Sequence, residues 1–172
     1  MTIAQWKHPS GEFRYADDDI SYAKAAAFLA DGPVEDWGGG PGYARHFFHD
    51  GYKLIDGTPG ESVDVVADLR DYRSEVHGIL MRHVIEHNYD WQKVLDNALA
   101  SCSKLALVIF TPFASETHVI HEYTDPPVPD ISFKHSDLTE LFPSYTEESF
   151  SSGTQYGAET IFYVEGLWKP AR

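Results

Sequence analysis

Apolar residues along this chain alternate between short runs of branched and aromatic side chains and longer stretches at helical spacing. Tyr22, Ala26, Leu29 and Ala30 recur at helical spacing and predict a helix over Asp19–Ala30, ended by Asp31-Gly32-Pro33. Val34–Asp36 reads as a short strand, followed by a glycine-rich loop and a brief helix over Pro41–His49, where Pro41 suits a first helical turn. Tyr52–Ile55 is a second strand, Val63–Ala67 a third and Gly78–Met81, on towards Val84, a fourth. Trp91, Val94, Leu95, Ala98 and Leu99 share one face of a helix over Trp91–Ser101. The continuous apolar run Leu105–Phe110 is what a parallel strand buried on both faces requires. A long polar stretch with Pro126, Pro127 and Pro129 reads as loop, Leu138–Phe142 as a short helix, and Tyr145–Ser151 with Thr160–Val164 as a hairpin.

Strands alternating with helices and closed by a hairpin predict an open α/β sheet in a single domain over 1–172, with 1–30 as arm and helix and 31–172 as core. Gly57–Ser62 alone separate the second strand from the third, whereas a helical crossover needs about a dozen residues. Leu69–His77 leave room for little helix as well. The helix layer is therefore expected to be reduced near strands two and three, with that face covered by the N-terminal segment or by a second copy in a homodimer.

The chemistry concentrates after the first strand, in Asp36-Trp37-Gly38-Gly39-Gly40-Pro41-Gly42. Glycine tolerates positive φ and lets backbone approach a ligand closely. A second acid, Asp56, ends the next apolar run, about 20 residues on, the spacing at which an acid meets ribose hydroxyls. The loop by itself fits either a dinucleotide or a nucleoside ligand.

Composition narrows the partners. The net charge is −14, with thirteen Lys and Arg scattered along the chain, which excludes the clustered basic surface that nucleic acid requires. A single cysteine, Cys102, rules out an internal disulfide framework and fits a reducing cytoplasm. Met1–Ser10 are polar and read as no signal peptide, and Leu105–Phe110 is too short to span a bilayer, so no membrane partner is expected.

Together these residues resemble the class I S-adenosylmethionine-dependent methyltransferases, of the type 11-like kind, over roughly Val34–Glu165. The Asp36-x-Gly38-x-Gly40-x-Gly42 loop is similar to that family's first motif. Asp56 falls where its ribose-binding acid ends the second strand, and Asp68, after Val65-Val66-Ala67, where an acid meets the adenine amino group. Met81-Arg82-His83-Val84-Ile85-Glu86-His87 is similar to the segment after the family's fourth strand. The short link Pro59-Gly60-x-x-Val63-Asp64-Val65-Val66 resembles a subgroup lacking the helix between strands two and three, often tied to cell-surface glycan biosynthesis. The resemblance implies a Rossmann-like sheet of about seven strands in the order 3-2-1-4-5-7-6, its C-terminal hairpin antiparallel. It implies S-adenosyl-L-methionine as cofactor, held by Asp36, Trp37, Gly38, Gly40, Gly42, Asp56, Gly57, Asp68, Leu69 and Arg82. It implies methyl transfer, most often to oxygen, on a small-molecule or sugar-like acceptor.

Three departures stand out. Glu35 occupies a usually apolar place in the first strand, where an unpaired buried carboxylate is costly. Trp37 is bulky for the loop, and Gly57 replaces an apolar side chain that commonly packs on the adenine. Glu35 and Gly57 keep open a cofactor-binding module without turnover. Gly38-x-Gly40 with Asp56 also loosely fits a nicotinamide oxidoreductase.

His83, just past the fourth strand, is the candidate general base, since its ordinary pKa suits base work near neutral pH; the plainer role is packing or hydrogen bonding beside the cofactor. His118 and His121, in the loop after the fifth strand, are candidate acceptor-binding residues or simply solvated. Arg82 and Arg45 either bind an acidic acceptor or pair with local acids. His83-Val84-Ile85-Glu86-His87 also spells H-x-x-E-H, a zinc pattern. It lies where the methyltransferase segment belongs, so no metal is expected, and Glu86 and His87 are read as bracing the following helix. Strand-end turns are the plainer role for Asp56 and Asp68. Trp6, Phe13 and Tyr15 are read as a lid or a packed arm.

Overall fold

A computed structural model describes residues 18–48 and 50–167. Helix α1 (Asp18–Leu29) precedes β1 (Val34–Trp37), β2 (Tyr52–Asp56), the minimal β3 (Val65–Val66) and β4 (Val76–Arg82). Helix α2 (Trp91–Leu99) leads into β5 (Cys102–Ile109). A small hairpin of β6 (His118–Thr124) and β7 (Pro127–Ser132), helix α3 (His135–Thr139) and a long hairpin of β8 (Ser144–Ser151) and β9 (Ala158–Glu165) complete the elements of the described residues. The main sheet has the order β3-β2-β1-β4-β5-β9-β8. Its first five strands are parallel, and β9 runs antiparallel to both β5 and β8. With the last two strands counted as sixth and seventh, this is the expected order.

Alternation along the central strands builds a core on each face. Ile79, Met81, Leu105, Leu107, Ile109, Phe162 and Val164 point to one side and pack with Trp91, Val94, Leu95 and Ala98 of α2 and with Phe133 and Leu138. Leu80, Ala106, Val108 and Ile161 point to the other and meet Tyr22, Ala25 and Leu29 of α1. Each such buried aliphatic side chain contributes about 1.5–3 kcal/mol. The buried line of α1 runs through Ala25, while Ala30 is exposed.

Near β2 and β3 the helix layer is thin, as the short links require. Only a single 3-10 turn, Tyr43–His46, stands where a brief helix was expected, and no helix joins β2 to β3. Phe47, Phe48 and Tyr52 cover one face there, and Leu69 and Tyr72 the other. Val66 on the edge strand remains half exposed.

The proline-containing stretch is not a loop. It forms the β6–β7 hairpin, with β7 packed against the turn Ile85–His87. Pro127 and Pro129 lie two apart on β7, so both occupy the ladder edge turned away from β6, where a missing N–H costs nothing. The proposed arm residues Trp6, Phe13 and Tyr15 lie outside the described residues. No helix among the described residues is long and apolar enough to cross a membrane.

Candidate functional site

In an open sheet of this kind ligands lie beyond the carboxyl ends of the strands, where the order reverses beside the first strand. β1, β2 and β4 end there with Asp36-Trp37, Asp56 and Arg82-His83. Gly38, Gly40 and Gly42 have φ of 76°, 54° and 82°, so the loop coils through a left-handed path that other residues rarely adopt. A Cβ on Gly38 would stand 2.8 Å from Val84 Cγ2, whereas one on Gly40 would meet nothing within 4 Å. The loop is packed from beneath at Gly38 and open at Gly40.

Asp56 ties this loop to the end of β2. Its Oδ2 accepts the Gly40 amide at 2.9 Å and its Oδ1 the Thr58 amide at 2.7 Å. Asp36 is buried on the α1 side, and Tyr52 donates its hydroxyl to Asp36 Oδ2 at 2.5 Å. Burial, reinforced by the charge of Asp56 and only partly offset by Tyr52, pushes the Asp36 carboxyl up to about 7.

Other predicted residues take different places. The side chain of Trp37 is wholly buried; its indole donates to Glu35 Oε2 at 3.0 Å and stacks edge-on against Tyr72. It is a core residue, and only its backbone borders the loop. The same contact resolves Glu35, whose carboxylate also accepts from the Tyr72 hydroxyl and faces Lys53 at 3.9 Å. Leu69 packs against that core. Asp68 is gripped by Arg70, which donates from Nε to both oxygens and from Nη2 at 2.6 Å. That grip holds the Asp68 carboxyl below its usual range. Arg45 pairs with Asp64 at 2.6 Å.

At the end of β4 the side chains diverge. Arg82 turns towards α1, donating from Nε to Ser21 Oγ at 2.9 Å and lying over the Tyr22 ring. Its Nη2 is 2.9 Å from Glu159 Oε1, and His83 Nε2 is 2.5 Å from that same oxygen. Burial, then the Arg82 charge, holds His83 well below its ordinary pKa, so its ring is neutral. His83 has a φ of 57° and lies against the Phe110 ring at 4.6 Å. Left-handed backbone at a non-glycine residue is strained and clusters at functional positions.

Ile85–His87 is a 3-10 turn, so the H-x-x-E-H residues do not share a helix face. Glu86 accepts the Phe110 amide at 2.9 Å, and His87 Nδ1 is 3.2 Å from Asp130 of β7. These two therefore brace β5 and β7 rather than α2. Among the described residues no group of three or more His, Cys, Asp or Glu is placed to hold a metal ion. His118 and His121 sit on the exposed outer strand β6, not in a loop; His118 Nδ1 lies 2.9 Å from the Glu116 carbonyl, and His121 packs edge-on against Tyr123.

Sequence reasoning missed Glu159, Tyr52 and Asp130. Only the register of β9 against β5, with Thr160 opposite Ile109, carries Glu159 to the carboxyl edge. A cleft of about 480 Å³ between α1 and β8–β9, bordered by Lys24, Phe28, Tyr145, Glu148 and Tyr163, lies towards the opposite edge of the sheet.

No protein-family model and no curated protein matches the sequence. Solved structures do. The N-terminal domain of EvdMO1 with SAH bound superposes with a TM-score of 0.65 at 12% identity, covering 90% of this chain and 83% of its own. The same domain in the presence of SAH and D-fucose gives a TM-score of 0.63 at 12% identity, covering 89% and 85%. The DhpI–SAH complex gives 0.58 at 15% identity, covering 87% and 85%. With its strand order and antiparallel closing hairpin, the chain has the fold of the class I S-adenosylmethionine-dependent methyltransferases.

Proposed function

We propose that the protein binds S-adenosyl-L-methionine at the carboxyl edge of β1 and β2 and methylates an oxygen of a small-molecule or sugar-like acceptor. One observation carries the reading. Each oxygen of Asp56 accepts a single backbone amide, from Thr58 and from Gly40, which leaves a second lone pair on each for the paired hydroxyls of a ribose. The open side of Gly40 lets a nucleoside approach the loop backbone. Asp36, Gly38, Gly40, Gly42, Asp56 and Gly57 would hold the cofactor, which supplies a methyl group already activated on a sulfonium. The buried acid Asp36 suits a ligand that carries positive charge.

An acceptor hydroxyl needs positioning and a group to take its proton. His83 is neutral and sits where β4 ends. The sugar-like acceptor class draws on the EvdMO1 domain, studied with SAH and D-fucose. Here Gln155 and Tyr156, held by the buried Asp130, place polar side chains beside Phe110 that suit an acceptor rich in hydroxyls.

Calorimetric titration with SAH tests the cofactor, and transfer of tritiated methyl to a panel of sugars and phenols tests the reaction. SAH binding by the wild type that is weakened in Asp56→Ala, with label on a hydroxyl acceptor, is the expected result; no heat with the wild type would overturn the reading. A second reading, binding without turnover, draws on the departures at Glu35 and Gly57. Binding with no label on any acceptor, nor on components of a host extract, would select it.

A further inference from the structure

Phe110 directly follows β5 at the carboxyl edge, and its ring joins two others there. His83 lies 4.6 Å from its centre and Tyr156 5.6 Å, tilted by 36°. Gln155 and Tyr156 reach this edge on the turn between β8 and β9, because β9 runs antiparallel to β5 with Thr160 opposite Ile109. The turn is tied down: Gln155 Nε2 and the Tyr156 hydroxyl both donate to Oδ2 of the buried Asp130, at 2.5 and 2.9 Å. Gln155 is nevertheless exposed and Tyr156 half-buried. With its amide nitrogen spent on Asp130, Gln155 offers a carbonyl oxygen, which accepts from a hydroxyl and gives an anion nothing to bind. Cations around the edge are committed elsewhere. Arg45 pairs with Asp64 at 2.6 Å, Arg70 with Asp68 at 2.6 Å and His87 with Asp130 at 3.2 Å. Arg82 turns towards Ser21 and Tyr22 of α1. Drawing His87 to a ligand anion would strand the buried Asp130, and the net charge of −14 opposes an anion at longer range.

Resting on the methyltransferase reading above, we infer that the acceptor is an uncharged, free polyhydroxyl compound, not a uronic acid or a nucleotide-linked sugar, and that Gln155 and Tyr156 are the residues that select it. The rings of Tyr156 and Phe110 supply an apolar wall for the C–H face of a sugar, and Gln155 accepts from one of its hydroxyls. An acidic acceptor would need a free cation in place of Gln155.

The test gives the full-length protein D-glucose, D-galactose and D-mannose, each also as its uronic acid and as UDP-glucose, UDP-galactose or GDP-mannose. Binding is read by calorimetry on the SAH-saturated protein and transfer by tritiated methyl. The preferred neutral sugar is expected to exceed both of its charged forms in kcat/KM by about tenfold or more. Gln155→Ala should raise KM for that sugar about tenfold, with kcat and SAH affinity within about twofold of wild type. Tyr156→Ala should raise KM as well; should it fail to fold, the exposed Gln155 still reads the selection. Charged forms that match or exceed the neutral one would overturn the proposal, as would an unchanged KM in Gln155→Ala. So would SAH binding with no sugar bound or methylated, which leaves the cofactor reading intact. Absence of SAH binding by the wild type would instead overturn the methyltransferase reading on which this one rests.

Discussion

The amide of Gly40 donates to Asp56 Oδ2 at 2.9 Å, joining the loop after β1 to the last residue of β2. One carboxylate thus fixes the loop and presents its remaining lone pairs beside it. Asp56→Ala is expected to weaken SAH binding about 10- to 100-fold, the worth of charged hydrogen bonds. Asp56→Asn, which keeps one carbonyl acceptor, should lose less. Equal affinities for the three proteins, by calorimetry, would remove Asp56 from the site.

Two glycines of the loop separate folding from binding. Gly38→Ala combines a φ of 76° with a contact 2.8 Å from Val84 Cγ2, while Gly40→Ala meets only its φ of 54°. Left-handed alanine costs about 1–2 kcal/mol, and the Val84 contact adds to it. Gly38→Ala should therefore lower the urea midpoint more than Gly40→Ala, while Gly40→Ala should lose SAH affinity despite milder destabilisation. Denaturation and calorimetry on both variants check the order.

Two buried acids predict an unusual pH dependence. Burial pushes Asp36 and Glu86 each up to about 7, from ordinary values of 3.8 and 4.5. Across that window the folded protein holds protons that the unfolded chain has released. Their contribution is full below the unfolded values and declines as pH rises towards 7, by at most about 1.4 kcal/mol per pH unit for each group. Glu86→Gln, which imitates the protonated form, should flatten the fall in stability between pH 5 and 7. Urea titrations at both pH values give the slope, and identical slopes in variant and wild type would contradict the burial argument.

Asp130 anchors the two hairpins to each other. Its Oδ2 accepts from Gln155 at 2.5 Å and from the Tyr156 hydroxyl at 2.9 Å, and its Oδ1 faces His87. Burial pulls His87 down, but Asp130 and Glu86 outweigh it and the net pKa is raised. Asp130→Ala leaves that cation buried without its main partner, a loss of about 3–5 kcal/mol. The loss should be largest below pH 6.5 and shrink as pH rises through the folded value of His87. Hydrogen exchange should quicken in the turn 152–157 and in β6–β7; unchanged protection there would show that Asp130 joins nothing.

Helices and strands that bury a continuous line of side chains were legible from spacing. α2 follows Trp91, Val94, Leu95 and Ala98 as read, and β5 follows its apolar run, extended back to Cys102. The β6–β7 hairpin was hidden because its prolines read as loop punctuation, and only the pairing partner reveals that both lie on an idle ladder edge. α1 shifted its buried line to Ala25 because the facing strands, not its own weak apolar contrast, choose which side is covered.

What the sequence determined by itself is local in origin. Glycine positions after the first strand and short links between strands imply the loop and the thin helix layer, because backbone conformation and crossover length depend on neighbouring residues, while the strand order was what the resemblance to the methyltransferases implied. What only the tertiary structure decided is which side chains meet. Asp68 is spent on Arg70, the Trp37 indole is closed into the core beside Glu35, and Glu159 reaches His83 through the register of an antiparallel strand. Those pairings are set by packing and charge burial across the sheet, between residues that no short window of sequence contains.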